Sequence, residues 1–128
     1  MREILFRGKK MDNGEWVYGT PFQEYSEFWD EWEWKIQTKH PLTNVPYMRL
    51  KVNINTICQF TGLTDKNGKR IFEGDIVKDI TDGVLREVFY CNESAMFLKK
   101  GILRSSLGNP LHLEVIGNIH DNPELLGG

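Results

Sequence analysis

Short apolar runs separated by turn residues predict β-strands throughout the second half of this sequence. We predict a strand beginning at Ile76-Val77, a turn at Thr81-Asp82-Gly83, and strands over 84–90, 95–99 and 111–119, with a long connection over 101–110. Strands this short and evenly spaced are typical of a closed or sandwich-like all-β unit. No internal repeat or low-complexity tract interrupts the pattern.

The first half begins with the same β pattern. It predicts a strand over 4–7, a turn over 11–14 and an alternating strand over 15–20. Pro41 and Pro46 bracket a region that we expect to be a loop, because proline fits poorly inside regular elements.

The stretch from Glu24 to Trp34 fits two different elements. Its aromatic residues fall at i, i+3, i+4 and i+7, which is one face of a helix: Tyr25, Phe28, Trp29 and Trp32. From Trp32 onward, apolar and polar residues alternate as in a strand. A helical turn leading into a strand and one long irregular hairpin both fit this pattern.

The stretch from Thr61 to Val77 is the most patterned part of the chain. Asn67-Gly68 predicts a tight turn, because both residue types tolerate positive φ. Gly74-Asp75 directly precedes a β-branched pair and predicts a sharp turn into the first strand of a small barrel. We expect Gly74 to need a backbone conformation that is closed to other residues.

This stretch resembles the signature of the YopX proteins, small proteins encoded by bacteriophages and prophages. Further blocks similar to that family follow in the expected order at 2–9, 13–19, 56–63 and 116–126. The resemblance implies an SH3-like β-barrel and self-association. It implies no established activity, no catalytic residue and no cofactor. The sequence departs from the family pattern at 23–35 and 37–53, where we expect features particular to this member.

A chain of 128 residues is one domain by size. We divide it into an N-terminal β extension over 1–55, which contains the aromatic–acidic stretch and a loop, and an SH3-like barrel over 56–128, as parts of one structural unit. The chain is expected to finish in a short helical turn, with Asn122 as cap, Pro123 at the first position and Glu124 facing the helix dipole.

The composition limits the cellular location of the protein and the kinds of partner it could bind. The net charge of −2 gives no electrostatic case for nucleic acid or an anionic membrane. No segment has the ~20 apolar residues of a membrane helix, and the N-terminus lacks the apolar region of a signal peptide. Cys58 and Cys91 stand alone, as free thiols do in a reducing compartment. We expect a protein of the host cytoplasm without a membrane partner.

Residues that carry chemistry are few. Three carboxylates and a histidine could form a metal site if the fold brings them together: Glu73, Asp75, His120 and Asp121. We favour the alternative that these residues make ordinary contacts in turns or with solvent. Ser105-Ser106 lacks a nucleophile-elbow context, and Cys58 lies in a segment that looks buried. The glycines at 62, 68 and 74 are interpreted as turn glycines, not a phosphate loop. We predict no catalytic residue, no metal and no enzyme activity.

A local basic cluster near the central turn supports nucleic-acid binding as the alternative function, in an accessory protein of phage replication or transcription. The cluster consists of Lys66, Lys69, Arg70 and Lys78. Acidic residues interleave with it and dilute its field: Asp65, Glu73, Asp75 and Asp79. We therefore rank nucleic acid below protein as a partner.

The aromatic–acidic stretch is the candidate interface. A small barrel has limited room for its rings, and interface cores are rich in aromatic residues. The candidate interface residues are Phe28, Trp29, Trp32 and Trp34. The rings either cap the barrel within one subunit or are covered by a partner, and the family resemblance favours a homo-oligomer. We predict a non-enzymatic protein–protein interaction module, with a host or phage protein as a further partner.

Overall fold

A computed structural model describes residues 4–43, 45–91, 96–100, 105–106 and 110–127. Regular structure in these ranges consists of β-strands and short 3-10 turns, which confirms the all-β prediction. The chain forms two compact units, one over Glu3–Gln59 and one over Phe60–Gly128. They are described separately below.

The first unit is an antiparallel sheet with strand order β4-β3-β2-β1. Its strands are β1 (Phe6–Lys9), β2 (Trp16–Ser26), β3 (Glu31–Lys39) and β4 (Pro46–Lys51). The first residues of β5 (Cys58–Thr64) pair with β1 through Cys58 and Gln59. Pro46, which we expected to end a loop that begins at Pro41, is the first residue of β4.

Strands β2 and β3 form one long hairpin, so the hairpin interpretation of the aromatic–acidic stretch is confirmed and the helical one is wrong. Tyr25 lies directly opposite Trp32, and Ser26 opposite Glu31. A four-residue turn between paired strands places residues i and i+7 side by side, as a helix would also do. This coincidence explains the apparent helical period.

The core of the first unit depends on two close approaches to β3. Ile36 is fully buried, and a Cβ added at Gly8 would lie 3.0 Å from its Cδ1 atom. A Cβ added at Gly19 would lie 2.1 Å from the backbone oxygen of Gln37. Glycine is therefore required sterically at residue 19 for β2 to pack this close to β3, whereas a Cβ at residue 8 would need only a small shift of the Ile36 side chain.

The second unit contains the rest of β5 and six further strands. These are β6 (Arg70–Phe72), β7 (Asp75–Asp79), β8 (Leu85–Cys91), β9 (Met96–Lys100), β10 (Ser105–Ser106) and β11 (Leu113–Asn118). Strand β5 pairs with β6, and the other five form an antiparallel sheet of order β10-β9-β8-β7-β11. Its buried core is formed by Ile71, Val77, Val88 and Leu113.

Several element ends differ from the prediction. The first strand begins at Phe6, and the last begins at Leu113, because His112 belongs to a 3-10 turn. Residues Pro123–Leu126 form a 3-10 turn, but Asn122 makes no side-chain cap to it. The predicted strand start at Ala95 lies outside the described residues, as does most of the connection over 101–110.

Candidate protein-interaction site

The outer part of the β2–β3 hairpin extends beyond the neighbouring strands. Strand β1 pairs with β2 only over Trp16–Gly19, and β4 pairs with β3 only over Lys35–Lys39. No third strand pairs with Glu24–Ser26 or Glu31–Glu33 in the part of the chain that the structure describes. We call Glu24–Glu33 the hairpin end.

The hairpin end exposes a cluster of aromatic rings that we call the aromatic tip: Tyr25, Phe28, Trp29 and Trp32. The exposed fractions are 83% for Phe28 and 64% for each of Trp29 and Trp32. Tyr25 packs edge-on against Trp32, with ring centroids 5.6 Å apart, and Phe28 packs edge-on against Trp29 at 4.7 Å. Large rings this exposed make the aromatic tip a candidate binding surface.

The structure brings together three of the four predicted interface residues. Phe28, Trp29 and Trp32 belong to the aromatic tip, whereas Trp34 is half-buried further along β3. Tyr25 was not among the predicted interface residues, although its position opposite Trp32 follows once the hairpin register is known.

Local hydrogen bonds fix the turn that carries these rings. Asp30 is the only non-glycine residue with positive φ, at 53°, among the residues that the structure describes. The Tyr25 hydroxyl donates a hydrogen bond to its carboxylate. The backbone N–H of Trp29 donates to the Ser26 hydroxyl at 3.2 Å. Aspartate tolerates the left-handed region, so this turn presents Phe28 and Trp29 in a defined conformation.

Carboxylates at the base of the hairpin end are neutralised by neighbouring strands. Glu24 accepts hydrogen bonds from Lys35 Nζ and Arg49 Nη1, both at 2.6 Å, and Lys51 Nζ lies 2.7 Å from Glu33. The hydrogen bond from Lys35, with the charge of Arg49, lowers the pKa of Glu24 below its usual range. The hydrogen bond to Glu33 raises the pKa of Lys51.

Carboxylates near the turn are placed differently. Glu27, Asp30 and Glu31 are exposed, and no basic residue occurs between 24 and 34 in the sequence. The aromatic tip is therefore surrounded by negative charge, with no basic side chain from its own hairpin end to offset it.

The basic cluster lies on the surface of the second unit. All four of its residues are exposed: Lys66, Lys69, Arg70 and Lys78. Lys66 Nζ lies 3.1 Å from Glu114 Oε2, and Lys78 is paired opposite Glu114 between β7 and β11. The Arg70 guanidinium lies 5.7 Å from the Phe60 ring centroid. Glu114 is thus a carboxylate between two of the cations.

Asp65, which the sequence interpretation treated only as a diluting charge, organises the central turn. The residue is 2% exposed, and its carboxylate accepts hydrogen bonds from the backbone N–H groups of Asn67, Lys69 and Val115 at 2.8–2.9 Å. Burial alone would raise the pKa of Asp65, but these donors lower it below its ordinary value of 3.8. An Asp two residues before Asn-Gly was the available signal, because such residues often bond the backbone of their own turn.

Of the predicted structural turn residues, three have the expected conformation or role and one does not. Gly68 and Gly74 have φ of 79° and 85°, which confirms positive φ at both. Asp75 Oδ2 accepts a hydrogen bond from the Phe72 N–H at 2.7 Å. Asn67 does not have positive φ, so the turn is not one with two left-handed residues; a three-residue loop needs only a final left-handed glycine.

Gly62, which we had also interpreted as a turn glycine, is not in a turn. Gly62 lies inside β5, where it has φ of 89° next to a shift in register between Phe60 and Thr64. Glycine with positive φ at a bulge is a common way to bend a strand.

Of the residues considered for a metal site, His120 and Asp121 take part in a local hydrogen-bond network with Asn118. Asn118 Oδ1 accepts hydrogen bonds from the N–H groups of His120 and Asp121 at 3.0 and 2.9 Å, and its Nδ2 donates to the Asp121 carboxylate at 3.0 Å. No three His, Cys, Asp or Glu side chains are grouped for a metal ion within the described residues. Asn122 Oδ1 accepts from the Asn118 N–H at 3.3 Å, which is the bond it makes in place of a cap.

The other residues considered for catalysis are either buried in the fold or lie outside the described part of the structure. The Cys58 thiol is buried and donates to the Thr56 carbonyl at 3.2 Å. The side chains of Cys91 and of Ser105-Ser106 lie outside the described part of the structure. In the described ranges, no helix has both the length and the apolar composition that crossing a membrane requires.

Comparison with known families identifies the chain. The family model described as YopX protein matches residues 5–127. The chain belongs to the YopX family. This YopX family member is also similar to the crystal structure of protein EF1440 from Enterococcus faecalis, with 24% identity over 98% of this chain and 99% of the other and a TM-score of 0.61. That similarity supports the fold alone. Comparison with curated proteins finds no match.

Proposed function

We propose that this chain is a non-enzymatic protein–protein interaction module of bacteriophage origin that self-associates through the aromatic tip. One observation carries the proposal: Phe28, Trp29 and Trp32 are exposed together at a hairpin end whose turn is held by its own hydrogen bonds. Fixed aromatic side chains bind at low entropic cost, because little conformational freedom remains to be lost.

The exposed rings supply enough apolar area to matter for association. Covering an aromatic ring removes ~150–250 Å² from water, so the exposed fractions of these three rings correspond to roughly 300–500 Å². At about 25 cal/mol per Å² this is on the order of 10 kcal/mol before association costs. Those costs are similar in size, so additional contacts must contribute to a stable oligomer.

Several features support a binding role over catalysis. Asp65 and Asp75 are buried carboxylates that accept backbone hydrogen bonds, and Asn118 closes the turn that follows β11. We interpret the second unit as an SH3-like barrel, a fold whose members commonly act by binding.

Sedimentation velocity over a concentration series tests the proposal with a matched pair of variants. The doubly substituted Trp29→Ala, Trp32→Ala protein should dissociate at concentrations where the wild type stays associated. Tyr47→Ala removes a ring that is 56% exposed on β4, outside the aromatic tip, and should leave association unchanged. Equal weakening by both would show that loss of any exposed ring, not the aromatic tip, causes the effect.

Nucleic-acid binding is the second candidate, and one structural observation favours it. Asp65 and Asp75 point their carboxylates at backbone N–H groups, so they dilute the exposed cations less directly than their sequence positions suggest. Glu114 still pairs with Lys66, and the net charge is −2. The balance supports protein as the principal partner.

A further inference from the structure

The two most distinctive exposed surfaces of this chain carry opposite charge. The aromatic tip is bordered by Glu27, Asp30 and Glu31, all exposed. On the second unit, four exposed cations lie on the central turn or on the strands next to it, with Glu114 beside two of them, and we call these cations the basic turn: Lys66, Lys69, Arg70 and Lys78. Surfaces of opposite potential steer encounter and fix the orientation of binding.

The aromatic tip alone is too small for a stable interface. A standard interface buries about 800 Å² on each partner, whereas the three most exposed rings account for roughly 300–500 Å². A docking surface that also engages the carboxylates at the turn would enlarge the contact. Two equivalent contacts in a symmetric dimer would double it.

We propose that the aromatic tip of one copy docks on the basic turn of a second copy. This inference rests on the proposed self-association and specifies which surfaces meet. Lysine and arginine side chains attract both the carboxylates and the faces of the tryptophan rings, so one basic surface satisfies both features of the tip. The apolar stems of long basic side chains also cover aromatic surface.

The basic turn has a rigid base for such a contact. Asp65 holds the backbone N–H groups of Asn67 and Lys69, and the Lys66 N–H donates to the Leu113 carbonyl at 3.0 Å. The turn is therefore bound to β11 through its backbone, while its basic side chains remain exposed. Little backbone ordering would be needed on docking.

A charge-swap experiment tests the pairing. Glu27→Lys with Glu31→Lys reverses the tip, and Lys69→Glu with Lys78→Glu reverses the turn. Each double variant should raise the dissociation constant for self-association at least tenfold in sedimentation experiments. A chain that carries all four substitutions restores opposite charges at the contact and should recover most of the affinity.

Controls separate this pairing from general charge effects. Glu15→Lys and Lys39→Glu reverse exposed charges outside both surfaces and should leave the dissociation constant within twofold of wild type. Circular dichroism establishes that every variant is folded. Raising the salt from about 0.05 M to 0.5 M should weaken the wild type, because it shortens the screening length.

The outcomes distinguish this inference from the proposed function. A monomeric wild type overturns both. An oligomer that ignores the charge reversals, or that the fourfold variant fails to restore, overturns the tip-to-turn pairing and leaves self-association standing. If the Lys69→Glu, Lys78→Glu protein loses binding to duplex DNA but keeps its oligomeric state, the basic turn is a nucleic-acid surface and the inference is wrong.

Discussion

Gly74 is held in its conformation from both sides. Its N–H donates to the Val88 carbonyl at 2.8 Å, and its carbonyl accepts from the Ile119 N–H at 2.9 Å. With φ at 85° and both backbone groups bonded, the position cannot relax to accept a branched side chain. Gly74→Val should lower the free energy of unfolding by about 1–3 kcal/mol.

Denaturant titration followed by circular dichroism measures this loss. Thr64→Val is the control, because it places the same side chain at an exposed strand position of β5 and should change stability by less than about 0.5 kcal/mol. Wild-type stability of the Gly74→Val protein would mean that the turn tolerates a side chain.

Removal of the Asp65 carboxylate should destabilise the second unit. Asp65→Asn keeps the shape but replaces one acceptor oxygen with a donor, which leaves buried N–H groups without an acceptor. We expect a loss of about 2 kcal/mol or more at pH 7. Asn67→Ala changes an exposed residue of the same turn with ordinary φ and should stay within about 0.5 kcal/mol.

The pH dependence of that difference follows from the lowered pKa of Asp65. A carboxyl whose pKa is lower folded than unfolded stabilises the protein fully above its ordinary value of 3.8, and this contribution is lost as the pH falls through the folded pKa. The stability gap between wild type and Asp65→Asn should therefore be constant near neutrality and shrink below about pH 4. If the stability difference between the two proteins did not change at low pH, the charge of Asp65 would not be its cause.

Some residue roles followed from sequence and others did not. Gly68 and Gly74 were predictable, because glycine next to Asn or Asp between apolar runs indicates positive φ. The local bonds of Asp65 to its own turn had a signal in the sequence, but its bond to Val115 did not, because Val115 lies 50 residues away and only tertiary pairing brings it near. Asn122 was expected to cap locally, but the folded β11 offers it the Asn118 N–H instead.

The β2–β3 hairpin depends on a close backbone approach at Gly19. An added Cβ would meet the Gln37 oxygen at 2.1 Å, which only separation of the strands would relieve. Gly19→Ala should lower the free energy of unfolding by at least about 1–3 kcal/mol through overpacking.

Thr20→Ala removes a side chain at the next, exposed position of β2 and serves as the control, with an expected change under about 1 kcal/mol. Thermal melts of the two variants compare them directly. Similar melting temperatures for both would show that the strands adjust to a side chain at residue 19.

At the level of elements, periodicity predicted strands well except where a turn imitated a helix. The alternation in 32–36 indicated β3 correctly, but the spacing of Tyr25, Phe28, Trp29 and Trp32 was shared by both structures. Pairing across a turn depends on the partner strand, which local spacing does not contain. Both ends of β1 and the start of β11 differ from the prediction by two residues.

The whole molecule should bind nucleic acid weakly. Its net charge is −2, and Glu114 lies beside Lys66 within the basic turn. Fluorescence anisotropy with random duplex DNA at about 0.15 M salt should show no submicromolar affinity. Tight binding there would reverse the ranking of functions, and loss of that binding in Lys69→Glu, Lys78→Glu would locate it.

The family and the all-β class of the whole molecule were predictable, because the blocks that carry the resemblance are spread over most of the chain. The exposure of the aromatic tip was harder to predict from the sequence. Sequence placed Trp34 with the other rings, but in the folded hairpin it lies toward the buried Ile36, whereas Trp29 lies on the turn. Exposure depends on where neighbouring strands end, which composition does not reveal.

Self-association is the central claim, and the mass of the protein in solution tests it most directly. Light scattering coupled to size-exclusion chromatography at micromolar concentration should give at least twice the chain mass of 14.9 kDa for the wild type. The Trp29→Ala, Trp32→Ala protein should move toward the chain mass under the same conditions. A wild type that elutes stably at 14.9 kDa would contradict the account.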